Sequence, residues 1–70
     1  MKQINLSTLR SELDEFWIDE FTRWKYTNTS TYQDFAYALY QQLSLLYNTV
    51  QFPIKPTMEN IDYDNIFYNI

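Results

Sequence analysis

The chain has 70 residues and contains no glycine, no cysteine and no histidine. Without cysteine or histidine there is no disulfide staple, no thiolate nucleophile, no imidazole base and no zinc or haem site of the usual kind. Without glycine there is no P-loop, no dinucleotide-binding turn and no tight type I′ hairpin. Most enzyme classes go with those absences. Bases are scarce too: five Lys and Arg stand against nine Asp and Glu, a net charge of −4 and a pI near 4.4. Direct binding to a phosphate backbone needs clustered bases, and five scattered ones do not supply it. An acidic surface suits basic partners instead, including the nucleic-acid clefts of other proteins, where carboxylates can stand in for phosphates. Keeping a small domain soluble is the simpler use of the same charge. No apolar run reaches the ~18 residues that a transmembrane helix requires. The opening Met1-Lys2-Gln3-Ile4-Asn5 lacks the apolar core of a secretion signal. A cytoplasmic protein without membrane or direct nucleic-acid contacts is expected.

What is present points to a folded helical domain. Hydrophobic residues make up 46% and aromatic ones 20% of the chain, too apolar for a disordered tail. The length admits one domain, residues 1–70, with helices expected over about 6–25, 32–47 and 57–69. In the first helix Leu6, Leu9, Leu13, Phe16, Trp17, Phe21 and Trp24 recur at spacings of three and four, the pattern of an amphipathic helix. Asn5 or Ser7 is placed to cap it. Glu12, Glu15 and Asp19 stack on another face. Two residues break the pattern: Glu20 projects into the apolar stripe, and Ile18 projects toward solvent among Ser11, Thr22 and Lys25. A carboxylate there needs a partner, and the expectation is that Glu20 reaches past the stripe to Arg23, Lys25 or a Tyr hydroxyl.

Thr27-Asn28-Thr29-Ser30-Thr31 is a polar connection of residues that bond their own backbone. Ser30-Thr31-Tyr32-Gln33 has the pattern of a capping box and starts the second helix, with Asn48 as its C-terminal cap. Tyr32, Phe35, Ala36, Leu39, Tyr40, Leu43, Leu46 and Tyr47 form its core stripe. Its outward face is more informative. Between Tyr26 and Ile54 the only formal charge is Asp34. Solvated helix faces usually carry Lys and Glu, whereas interface centres are depleted of charge and rich in aromatics. Tyr37, Gln41 and Leu45 lie about one turn apart there, with Ala38 beside them. Either a third element covers this face or a partner does.

In Val50-Gln51-Phe52-Pro53-Ile54-Lys55-Pro56 the two prolines block a helix, and Phe52 and Ile54 are expected to pin the segment across the helix pair. From Thr57 onward one turn precedes a short helix capped near Asp62, where Glu59, Asp62 and Asp64 suit a helix N-terminus. Paired carboxylates are the only catalytic raw material in quantity. Asp62-Tyr63-Asp64-Asn65 is similar to the start of a calcium loop but lacks its glycine and closing glutamate. Short helices also leave little volume for a substrate cleft, so neither catalysis nor a cofactor nor a metal is expected. Arg23-Trp24-Lys25-Tyr26 is the one basic, aromatic-interleaved cluster. Its Trp24 is claimed by the core stripe, and surrounding acids would repel a nucleic acid.

Phe16-Trp17 in an aromatic first helix, Phe35-Ala36 in the second, the Phe52-Pro53 break and Asp62-Tyr63-Asp64 with Ile66 and Tyr68 follow one another in an order that resembles the YozE family. Those are small SAM-like helical proteins of Gram-positive bacteria and their phages. The resemblance spans roughly residues 16–70 and rests on motifs two or three residues long. The longer first helix and the longer stretch before Phe52 depart from it. It implies a compact helical fold and no established chemistry.

The expected fold is all-α, three or four helices around a core of Trp17, Trp24, Phe16, Phe21, Phe35, Leu39, Leu43 and Leu46. The expected function is non-enzymatic: a small acidic protein, of the kind phages and mobile elements encode, that binds and modulates or inhibits another protein. Its contact would be the second helix, through Tyr37, Ala38, Gln41 and Leu45. The alternatives are an acidic nucleic-acid mimic that blocks a basic site with Glu12, Glu15, Asp19, Glu59, Asp62 and Asp64, or a module that associates with its own copy.

Overall fold

In the computed structural model, which describes residues 3–27 and 31–70, four helices follow in order: α1 (Leu6–Glu12), α2 (Glu15–Thr27), α3 (Tyr32–Asn48) and α4 (Tyr63–Asn69). The protein is all-α, as its apolar spacing predicts. Its Cα radius of gyration is 11.1 Å, matching the ~11 Å of a single close-packed domain of this length.

The long first helix of the sequence reading is two helices. At Leu13 the backbone turns extended, with φ −114° and ψ 154°. The Asp14 carboxylate then accepts the Trp17 N–H at 3.3 Å, as an N-cap does. Local side-chain capping outweighs continuation of the helix, although no glycine or proline marks the place. The break changes which way several of the following residues face. Phe16, assigned to the core, is 63% exposed, while Ile18, assigned to solvent, is half-buried against the core. Lys25 turns inward as well: its ammonium donates to the Phe67 carbonyl and lies 4.5 Å from the Phe67 ring centroid. Trp17 and Trp24 are half-buried rather than central.

The other boundaries have equally local causes. Asn5 caps α1, its Oδ1 accepting the Thr8 N–H at 2.9 Å. Thr31 caps α3 by accepting from the Asp34 N–H, one residue later than the expected box; Ser30 lies outside the described residues. Helix α3 ends with Thr49, not Asn48, as its C-cap. Val50 then takes a left-handed conformation, φ 65°. Its N–H donates to the Tyr47 carbonyl (3.1 Å) and that of Gln51 to the Leu46 carbonyl (2.9 Å), the two bonds of a Schellman motif. The last helix begins at Tyr63, not Thr57. Residues 57–60 form a separate turn held by Asn60, a buried side chain that accepts from the Thr57 N–H (2.8 Å) and donates to the Lys55 carbonyl (2.9 Å). Asp62 caps α4, as expected, by accepting from the Asn65 N–H at 3.2 Å.

The core forms where α3 meets the other elements. Phe35, Leu39, Leu43 and Leu46 are buried along one side of α3 with Phe21, Leu9, Leu13, Phe52 and Ile66. Phe35 is the aromatic centre, its ring 6.1 Å from Phe21, 5.9 Å from Trp24 and 5.3 Å from Phe67. Those separations are typical of favourable edge and tilted packing. Phe52 does pin the proline segment, fully buried, with Ile54 packed beside it. One tie was not foreseen. Ile4 is buried and makes an isolated parallel bridge to Ile61, with Ile4 N–H on the Asn60 carbonyl (2.6 Å) and Asp62 N–H on the Ile4 carbonyl (2.8 Å).

Candidate interaction surface

Burial of one side of α3 decides what the other side shows. With Phe35, Leu39, Leu43 and Leu46 turned inward, Tyr37, Gln41 and Leu45 fall outward at helical spacing. Tyr37 is 67% and Leu45 55% exposed, and Gln41 is exposed between them. Helix α4 covers α3 elsewhere, through the contacts of Phe67 with Tyr32 (5.1 Å) and Phe35. Ala38 does not join this stripe. It is half-buried and faces a groove toward α2, where Gln42 is its neighbour.

That groove is lined from the α2 side by Trp17, Glu20, Phe21 and Trp24. Glu20 takes the position the sequence assigns it and pairs with one of the three partners expected, Arg23, whose Nη1 lies 3.4 Å from Oε1. It is the only ion pair among the described residues. On the opposite flank of α3 a second groove is almost wholly apolar, with Tyr32, Ala36, Tyr37 and Tyr40 facing Met58 and Tyr63 across it. Met58 enters here through the turn of residues 57–60, a feature with no strong periodic signal in the sequence, and Tyr63 through the start of α4. The Tyr32 phenol is pushed up to about 12 by burial first, then by the Asp64 carboxylate beside it. Burial also raises the Tyr63 phenol, with the neighbouring Tyr40 adding to it.

The carboxylates are not one surface. The break at Leu13 puts Glu12 at the end of α1 and Glu15 at the head of α2. Glu15 and Asp19 flank a hollow with Arg10, Leu13 and Ile18, which Glu12 does not line. Asp62 has internal work as the α4 cap, whereas Asp64 and Glu59 are exposed. No group of three or more metal-ligating side chains converges among the described residues. No helix among them is long and apolar enough to cross a membrane. Sequence reasoning passed over one exposed apolar residue beside α3: Val50, 91% exposed, which a polar Thr-Val-Gln context hides.

No protein-family model, no curated protein and no solved structure matches the chain.

Proposed function

We propose that the chain acts by holding another protein against the outward face of α3, and that it carries out no chemistry of its own. The observation that carries this reading is the stripe of Tyr37, Gln41 and Leu45. It is solvent-exposed and without formal charge, on a protein whose other surfaces carry most of its nine acids. A Tyr-bearing, charge-free stripe has the composition of an interface centre, and tyrosine is a frequent anchor. The acidic-mimic reading has less support. Its six carboxylates are divided among α1, α2, the turn before α4 and α4 itself, and Asp62 is engaged as a helix cap.

The test is capture of a partner from extract at low and high salt, with Tyr37→Glu/Leu45→Glu alongside the native protein and light scattering on each. The double variant should fold, lose the captured protein and leave the acidic faces unchanged. Capture by the native protein should persist at high salt, because an apolar contact is weakly screened. Capture that collapses with salt and survives the double variant would establish the mimic instead. A native dimer that the double variant turns into a monomer would identify the partner as a second copy.

A further inference from the structure

Glu20 stands inside an aromatic stripe, and the fold gives it little to do. Its Oε1 pairs with Arg23 at 3.4 Å between side chains 46% and 71% exposed, a pairing of small worth. Its Oε2 accepts no hydrogen bond among the described residues. Around it lies a groove of about 190 Å³, with Trp17, Phe21 and Trp24 from the same helix and Ala38 and Gln42 from α3. Both indoles are half-buried, so each keeps part of its surface open. Seven residues of helix separate Trp17 from Trp24, about 10.5 Å along the axis. Both indoles line the groove, one on either side of Glu20 along α2, and an indole attracts positive charge brought over its face. Arg23 does not line the groove. Among the described residues, the cation–ring contacts are those of Lys25 over Tyr26 and Phe67, on another side of α2.

We propose that this groove receives an arginine side chain of the partner protein, its guanidinium hydrogen-bonded to Glu20 and lying against the open indole surface beside it. This rests on the reading that the chain holds another protein. It adds to that reading the chemistry of the residue that docks, at a groove which Ala38 and Gln42 make continuous with α3. Charge and shape select the occupant. An apolar side chain would desolvate the Glu20 carboxylate without compensation, and an acidic one would be repelled by it. Arginine is favoured over lysine because guanidinium is planar, weakly hydrated, stacks on aromatic faces and offers a fork of donors to a carboxylate.

The test needs no partner protein. N-acetyl-arginine methylamide is titrated into the isotope-labelled chain while the two indole N–H resonances are followed. The lysine and norleucine counterparts and tetramethylammonium serve as comparisons. The arginine compound should shift both indole signals saturably, norleucine should not, and lysine should bind more weakly. Glu20→Gln should raise the dissociation constant by about threefold to fivefold, and Trp17→Leu, which keeps bulk but removes the ring, should abolish saturation. Equal binding of norleucine, tighter binding of tetramethylammonium, or an unchanged affinity in Glu20→Gln would each overturn the assignment. If the arginine compound fails to bind while Tyr37→Glu/Leu45→Glu still abolishes partner capture, the groove assignment falls and the α3 reading stands. If it binds as expected while capture survives that double variant, the arginine site stands and the partner's contact moves off Tyr37 and Leu45.

Discussion

The side-chain oxygen of Asn65 accepts the backbone N–H of Leu6 at 2.9 Å, across 59 positions of sequence. Leu6 opens α1, and the first N–H groups of a helix have no partner inside it. Asn5 serves the Thr8 N–H of the same turn; α4 serves that of Leu6. Asn65→Ala should therefore destabilise the fold by about 1–2 kcal/mol, the cost of leaving a part-buried donor unpaired. Urea unfolding checks it, and a midpoint equal to that of the native chain would show that water replaces the side chain there.

Val50 closes the Schellman motif of α3 in a conformation that costs an L-residue with a Cβ about 1–2 kcal/mol, and a β-branched residue is a marked outlier there. It is 91% exposed, so little packing offsets that strain. Val50→Gly should stabilise by about 0.5–1 kcal/mol, after allowance for the greater backbone freedom of glycine when unfolded. The denaturation midpoint should rise with an unchanged slope.

Lys25 brings a cation to the last turn of α4, on the Phe67 carbonyl, where the helix dipole favours positive charge. Lys25→Met keeps the aliphatic stem and removes the charge. A loss of about 1–2 kcal/mol is expected for a hydrogen bond from a charged donor in a half-buried place. Thermal unfolding reads it, and Lys25→Arg should recover part of the loss.

Tyr32 gives the fold an alkaline limit. Its phenol is raised from 10.0 to about 12 by burial and by the Asp64 carboxylate, so the folded chain holds a proton that the unfolded chain has begun to release. That contribution to stability is complete below pH 10 and is lost progressively between about pH 10 and 12. Tyr32→Phe should flatten the decline of stability over that window. Tyrosinate absorbance should show one fewer late-titrating phenol in the variant.

The all-α class, the inward stripe of α3 except Tyr47, which is exposed, the Asp62 cap and the Phe52 pin were legible in the sequence, which also offered Asn5 as one of two caps for α1 and Arg23 as one of three partners for Glu20. Each depends on spacing or on a neighbour within one turn. The break at Leu13-Asp14 was not, because Leu9, Leu13, Trp17 and Phe21 keep a helical spacing straight through it. Only the Asp14–Trp17 capping bond decides the matter. From that one miss came the wrong exposure for Phe16 and Ile18 and the wrong grouping of Glu12 with Glu15 and Asp19. The bridge of Ile4 to Ile61 and the bond from Asn65 to Leu6 join residues far apart in sequence, and periodicity is blind to such pairs. For the surface, Tyr37, Gln41 and Leu45 were legible as an uncharged exposed row. That Ala38 belongs instead to a groove with Trp17 and Trp24 depends on how α2 is rotated against α3.

The bridge between Ile4 and Ile61 ties the start of the chain to the segment before the last helix. The amides of Ile4, Leu6 and Asp62 all bond across that seam, so none can exchange its hydrogen with solvent until the seam parts. Once each amide's intrinsic exchange rate is divided out, the three should show one protection factor, set by the free energy of a single sub-global opening.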